Sequence, residues 1–133
     1  MTRTTLPQQH NPGTIAAPLG AYSNGVSAPG SGRWLHVAGQ VGVQPDGTVP
    51  AGFAEQAELA WSNLVAILAD AGMTVSDLVK VTHFLVRADD LKDYNAVRSR
   101  HLGTALPAST LLIVQALARP QWLIEVEAVA WHA

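Results

Sequence analysis

The stretch Pro107-Ala108-Ser109-Thr110-Leu111-Leu112-Ile113-Val114-Gln115-Ala116-Leu117 leads through Ala118-Arg119-Pro120-Gln121-Trp122 into Leu123-Ile124-Glu125-Val126-Glu127-Ala128-Val129-Ala130-Trp131. It reads as two long apolar strands folded back on one another. Side chains alternate across a strand, so Glu125 and Glu127 share a face. A carboxylate is seldom fully buried unless paired. Two of them in an aliphatic strand therefore need a partner, a cleft or a subunit interface.

Working outward, Val79-Lys80-Val81-Thr82-His83-Phe84-Leu85-Val86 has the β-branched and aromatic content of a central strand. Before it, apolar residues recur at Phe53, Ala57, Ala60, Trp61, Leu64, Val65, Ile67, Leu68 and Ala71, which predicts an amphipathic helix over 52–71 stopped by Gly72. After it, Asp89 and Asp90 supply an N-cap, and Leu91, Tyr94, Val97, Arg98, His101 and Leu102 mark one side of a second helix that ends at Gly103. Pro29-Gly30-Ser31-Gly32 is a hairpin-type turn that pairs a strand near Val26 with one over 34–40, and Gly39 and Gly42 close the latter. Residues 1–15 read as an extended arm with a short strand over 2–6. The pattern is α+β: two helices covering one face of a mixed sheet, in a single domain over 1–133.

The 133 residues suffice for a core without disulfides, and the absence of cysteine excludes thiolate catalysis and a Cys-based zinc site. Only 14% of residues are charged while 48% are hydrophobic, which leaves little charge to cover a monomer and points to oligomerisation. A net charge of −2 with scattered Lys and Arg argues against a nucleic-acid surface. Nothing approaches a membrane span or a signal peptide, so the expectation is a soluble, cytoplasmic protein.

Gly-rich phosphate loops and a Gly-x-Ser-x-Gly elbow are absent, and the five histidines show no paired ligand spacing, so no metal is expected. His36 and His83 fall in predicted strands and read as hydrogen-bonded structural residues rather than general bases. The four tryptophans read as core or interface anchors. Glu125 and Glu127 are the candidates for proton transfer. Set among Leu123, Val126 and Val129 a carboxylate would lose hydration, which suits an acid or base working near neutral pH. The alternative is an ion pair with Arg or Lys across an interface. Tyr22, in a Gly-rich segment, offers a hydrogen-bond donor to a ligand, although such a residue is also commonly a packing one.

Leu19-Gly20-Ala21-Tyr22-Ser23-Asn24-Gly25-Val26 resembles the Gly-Pro-Tyr-Ser-x-Gly-Val opening of the Rid/YjgF family, the reactive-intermediate (enamine/imine) deaminases, with Ala21 where proline is usual. Val37-Ala38-Gly39-Gln40-Val41 is similar to its Ser-Gly-Gln-Ile strand end. Ala69-Asp70-Ala71-Gly72 with Asp77-Leu78-Val79-Lys80-Val81-Thr82, Pro107-Ala108-Ser109-Thr110, and Ile124-Glu125-Val126-Glu127-Ala128-Val129-Ala130 resemble its later motifs. The resemblance runs from about residue 16 to 131. It implies a chorismate-mutase-like fold, a homotrimer with a central barrel, and a small-molecule ligand cleft at each subunit interface. It further implies hydrolytic deamination of a small imine or enamine without metal or organic cofactor. Carried over by position, Glu125 orients or deprotonates the attacking water, Tyr22 lines the cleft, Gly39 offers backbone to the ligand, and Thr110 sits beside them.

Two departures stand out. The deaminases have Pro-Ala-Arg where this chain has Pro107-Ala108-Ser109, so the bidentate carboxylate anchor is replaced by a hydroxyl, which argues against 2-aminoacrylate itself as substrate. Arg98 falls where asparagine is common, either as a solvated or salt-bridged helix residue or as a replacement cation in the cleft. Arg119 is expected at an exposed turn tip. The competing readings are a trimer that binds a metabolite, or acts like a chaperone, without catalysis, and an endoribonuclease or translation inhibitor, the last disfavoured by the acidic balance.

Overall fold

A computed structural model describes residues 6–133 of the chain. Strands β1 (Gln8–His10), β2 (Gly25–Ser27) and β3 (Arg33–Gln40) precede helix α1 (Phe53–Asp70). They are followed by β4 (Leu78–Leu85), α2 (Leu91–Leu102), β5 (Ala108–Ile113) and β6 (Ile124–His132). The main sheet has the order β3-β6-β4-β5. β6 runs antiparallel to both neighbours, and β5 runs parallel to β4.

Both helices form where the periodicity placed them. α1 buries Phe53, Gln56, Ala57, Ala60, Trp61, Leu64 and Leu68 on one stripe. It ends at Gly72, whose φ of 72° lets the Gly72 and Met73 amides reach back to the carbonyls of Ala69 and Leu68. α2 ends at Gly103 in the same left-handed region. Its N-cap, Asp90, makes no side-chain cap bond because the carboxylate is taken by Arg87 at 2.7 Å.

Two strand pairings and the place of one strand differ from the sequence reading. β5 and β6 are not a hairpin: β4 lies between them. The chain leaves β4, crosses through α2 and returns as β5 parallel to β4, the usual outcome of a strand-helix-strand unit, and residues 114–123 then carry it over to the middle of the sheet. Nor do β2 and β3 pair; β2 pairs with β1, and β3 takes the far edge beside β6. The strand of the N-terminal segment lies at Gln8–His10, and residues 2–5 of the expected one fall outside the described residues.

One face of the sheet carries Leu35 and Val37 from β3, Val81, His83 and Leu85 from β4, and Ile124, Val126, Ala128 and Ala130 from β6. These residues pack under α1 and α2 to form the core. The other face, free of helices, carries His36, Lys80, Thr82, Phe84, Thr110, Leu112, Glu125, Glu127 and Val129. Gln56, buried on α1, ties the last connection down: its amide donates to the carbonyls of Pro50 (2.7 Å) and Gln121 (2.9 Å), and its Oε1 accepts from the Leu123 amide (2.9 Å). The start of β6, and with it Glu125, is thereby fixed in register.

Candidate functional site

Glu125 and Gly39 come together on the open face. A Cβ added at Gly39 would lie 2.8 Å from Glu125 Cδ, well inside contact distance, so the carboxyl occupies space that only glycine leaves free. Glu125 is half-buried and Glu127 is exposed. The neighbours expected from sequence need correcting. Val126 is turned to the opposite face, and Glu125 instead sits across from Phe84 of β4. Among the described residues the ion pairs are Arg87–Asp90, Glu58 with Arg100 and His101, and His132–Asp77, none of which engages Glu125 or Glu127.

Thr110 shares the open face but not the Glu125 row. It lies across from Thr82, which lies across from Glu127, and it accepts a hydrogen bond from Lys80 Nζ at 2.5 Å. Two strand spacings separate it from β6, roughly 10 Å. His36, read as hydrogen-bonded, is exposed here instead. A cavity of about 290 Å³ on this face is lined by His36, Lys80, Thr82 and Glu127.

Ser109 lies on the other side of the sheet. In parallel register it sits beside Val81, and its hydroxyl is 3.0 Å from His83 Nε2. His83 Nδ1 makes a short hydrogen bond with the Tyr94 hydroxyl, which also accepts from Trp61 Nε1 at 3.0 Å. His83, Tyr94 and Trp61 are fully buried and Ser109 is half-buried. Burial, reinforced by the positive charges of Arg98 and Lys80, pushes the His83 imidazole down to about 3, so it is neutral at physiological pH. Burial likewise pushes the Tyr94 phenol up.

Arg98 belongs to this second group. Its guanidinium lies 5.8 Å from the Tyr94 ring centroid, Nη2 donates to Asn95 at 2.8 Å, and Nε is buried without a partner. Tyr22 is brought to the same end of the sheet. Ser23 bridges to Ala108, its amide donating to the Pro107 carbonyl at 2.9 Å, and its hydroxyl donates to the Leu106 carbonyl. The Tyr22 hydroxyl accepts from the Leu19 amide at 3.1 Å, leaving its own proton to donate. Arg119 is exposed as expected, packed over Trp122.

The residues singled out in the sequence thus fall apart: Glu125 with Gly39 on the open face, Thr110 farther along that face, Ser109 and Arg98 by the His83–Tyr94 pair beneath the helices, and Tyr22 next to the Ser23 bridge at the start of β5. Within one chain the sheet separates Glu125 from Ser109 and Arg98. His83 and Tyr94 were legible only as a strand residue and a helix-face residue, because no local pattern shows that parallel pairing sets His83 against Ser109. Among the described residues no group of three His, Asp or Glu could hold a metal ion, and no helix is long and apolar enough to cross a membrane.

A mixed four-stranded sheet with both helices on one face and a β4-α2-β5 crossover defines an α+β protein of the chorismate-mutase-like class. The chain belongs to the Rid/YjgF family: the family model described as Endoribonuclease L-PSP matches residues 14–132. It is 36% identical over 116 residues to the 2-iminobutanoate/2-iminopropanoate deaminase of Rattus norvegicus, covering 86% of this chain and 82% of that protein. It is 35% identical over 116 residues to a RutC family protein of Pyrococcus abyssi, covering 86% and 88%. The crystal structure of the Rid family protein YyfB from Yersinia pestis superposes with a TM-score of 0.84 at 31% identity, covering 94% of this chain and 98% of that one.

Proposed function

We propose that this protein hydrolyses the C=N bond of a small imine, or of the enamine that tautomerises to it, at clefts formed between adjacent copies of the chain in a homotrimer. Water adds to the imine carbon, the amine nitrogen takes up a proton, and ammonia leaves as the carbonyl forms. Glu125 takes the proton from the attacking water, and the backbone at Gly39 lies against the ligand. The observation that carries this reading is the seating of the Glu125 carboxyl over Gly39, on a face with no helix above it. The Ser109, Arg98 and Tyr22 group of the neighbouring copy closes the cleft from the other side, with Thr110 at the rim. The relatives named as deaminases support the reaction class. The single domain, the barrel enclosed by three sheets, and a cytoplasmic site of action without a cofactor are parts of the same proposal.

Ser109 offers a carboxylate one hydrogen bond where an arginine would offer two and a full charge, so 2-aminoacrylate should be a poorer substrate than imines with less demand for that anchor. The test is release of ammonia from 2-aminoacrylate, 2-iminobutanoate and imines of uncharged side chains. Turnover that Glu125→Gln abolishes without dissolving the assembly supports the reading; no acceleration with any of the three contradicts it. The loss of the arginine favours a second reading, a trimer that binds a metabolite without converting it, for which calorimetry would show saturable binding with no product over hours.

A further inference from the structure

The row of side chains from Trp61 to Ser109 has a direction that its hydrogen inventory fixes. An indole N–H can only donate, so Trp61 Nε1 gives its proton to the Tyr94 oxygen. Tyr94 is fully buried, and its own O–H must find an acceptor; the group in hydrogen-bond contact with it besides Trp61 is His83 Nδ1. His83 is neutral, so with Nδ1 accepting, its single proton sits on Nε2. Nε2 then donates to Ser109 Oγ at 3.0 Å. The serine oxygen is thereby occupied as an acceptor, and its O–H is left to donate away from the row.

We propose that His83, held by Tyr94 and Trp61, is a positioning residue that makes Ser109 an outward hydrogen-bond donor, so that this end of the cleft receives an acceptor oxygen carried by the substrate next to its C=N carbon. The assignment rests on the reading above in placing Ser109 at the cleft, but the direction of the row does not. It also excludes the other use of a serine beside a histidine. A nucleophilic serine needs Nε2 as a bare base, and here Nε2 carries the proton. Arg98 acts in the same sense: its buried, unpartnered Nε is a second donor beside Tyr94, and no carboxylate among the described residues is paired with its guanidinium.

The decisive measurement is the ¹⁵N spectrum of the imidazoles in the intact protein, with His83 assigned by its loss in His83→Gln. The expected result is a pyrrole-type Nε2 and a pyridine-type Nδ1 for His83, unchanged in Ser109→Ala and shifted to a tautomer mixture in Tyr94→Phe. A protonated Nδ1 in the wild type overturns the proposal. In turnover assays Ser109→Ala should raise KM about tenfold with kcat nearly unchanged, as for loss of one hydrogen bond of about 1.4 kcal/mol, and Ser109→Thr should restore it. An unchanged KM in Ser109→Ala also overturns it. Absence of turnover in the wild type counts against the deaminase reading alone, since the tautomer is read without substrate.

Discussion

Substituting Gly39 by alanine adds a methyl group that cannot coexist with the Glu125 carboxyl where it now lies, because the new carbon would stand 2.8 Å from Cδ. The side chain at Glu125 must rotate away or the edge strand must shift. Gly39→Ala should therefore lower turnover nearly as far as Glu125→Gln while changing stability by less than about 1 kcal/mol, because what must move is the free end of a half-buried side chain. Both are read from ammonia release and a denaturant titration of the same sample. Wild-type turnover in Gly39→Ala would show that the close fit has no part in catalysis. His83 carries a second prediction at this scale. Its folded-state value lies near 3 against 6.5 in a free histidine, so the unfolded chain binds more protons between those limits. Stability contributed by the neutral imidazole is complete above pH 6.5 and is lost as pH falls towards 3, by ~1.4 kcal/mol per pH unit over the steep part. His83→Gln should flatten that slope of unfolding free energy against pH, and an unaltered slope would place the proton uptake elsewhere.

At the scale of elements, the helices were legible because their apolar residues recur at helical spacing and each is stopped by a glycine with positive φ. The strands themselves were legible too, but their pairing was not. Two apolar runs separated by a short Pro-containing segment suggest a hairpin, whereas the actual neighbour of β5 is set by the crossover through α2, a non-local consequence of chain direction. The same limit governed the site. Alternation placed Glu125 correctly on one face with Glu127, whereas Gly39 was marked by the family resemblance and read locally as no more than the end of a strand, and the facing of Ser109 toward His83 required the parallel register. Gln56 is a further residue whose role no periodicity could show, since a glutamine on the buried stripe of α1 breaks the apolar pattern. It satisfies two carbonyls and one amide of the connections that flank α1 and β6. Gln56→Ala leaves those groups without that partner and should lower stability by about 3 kcal/mol, measured as the urea midpoint at unchanged m-value. A loss under about 0.5 kcal/mol would mean that water replaces the side chain without cost.

For the whole molecule, the proposed trimer would cover a sheet whose one face is free of helices, whose β3 edge is unpaired and whose β5 edge is bridged at Ala108 to Ser23. Trp34 on β3 and Leu112 and Ile113 on β5 are 44%, 45% and 47% exposed, and only 14% of the chain is charged. Covering such a surface with further copies buries apolar area and pairs or shields the edges. For the proposed trimer, sedimentation equilibrium should give a mass three times that of the chain, and a monomeric mass at micromolar concentration would contradict it. The proposed assembly would also give the two separated groups of residues a way to meet, since Glu125 of one copy and Ser109 with Arg98 of the next need not be neighbours within a chain.

That claim is tested most directly by mixing two defective proteins. Glu125→Gln removes one half of each cleft and the double substitution Ser109→Ala with Arg98→Ala removes the other, so either parent should be nearly inactive at substrate concentrations well below KM. Unfolded together in equal amounts and reassembled, they form mixed trimers in which about a quarter of the clefts contain both intact halves. Shared clefts predict recovery of about a quarter of wild-type ammonia release from the imine that the wild type turns over fastest. A mixture that stays as inactive as its parents, while mixed trimers are present, would mean that each site is built within one chain.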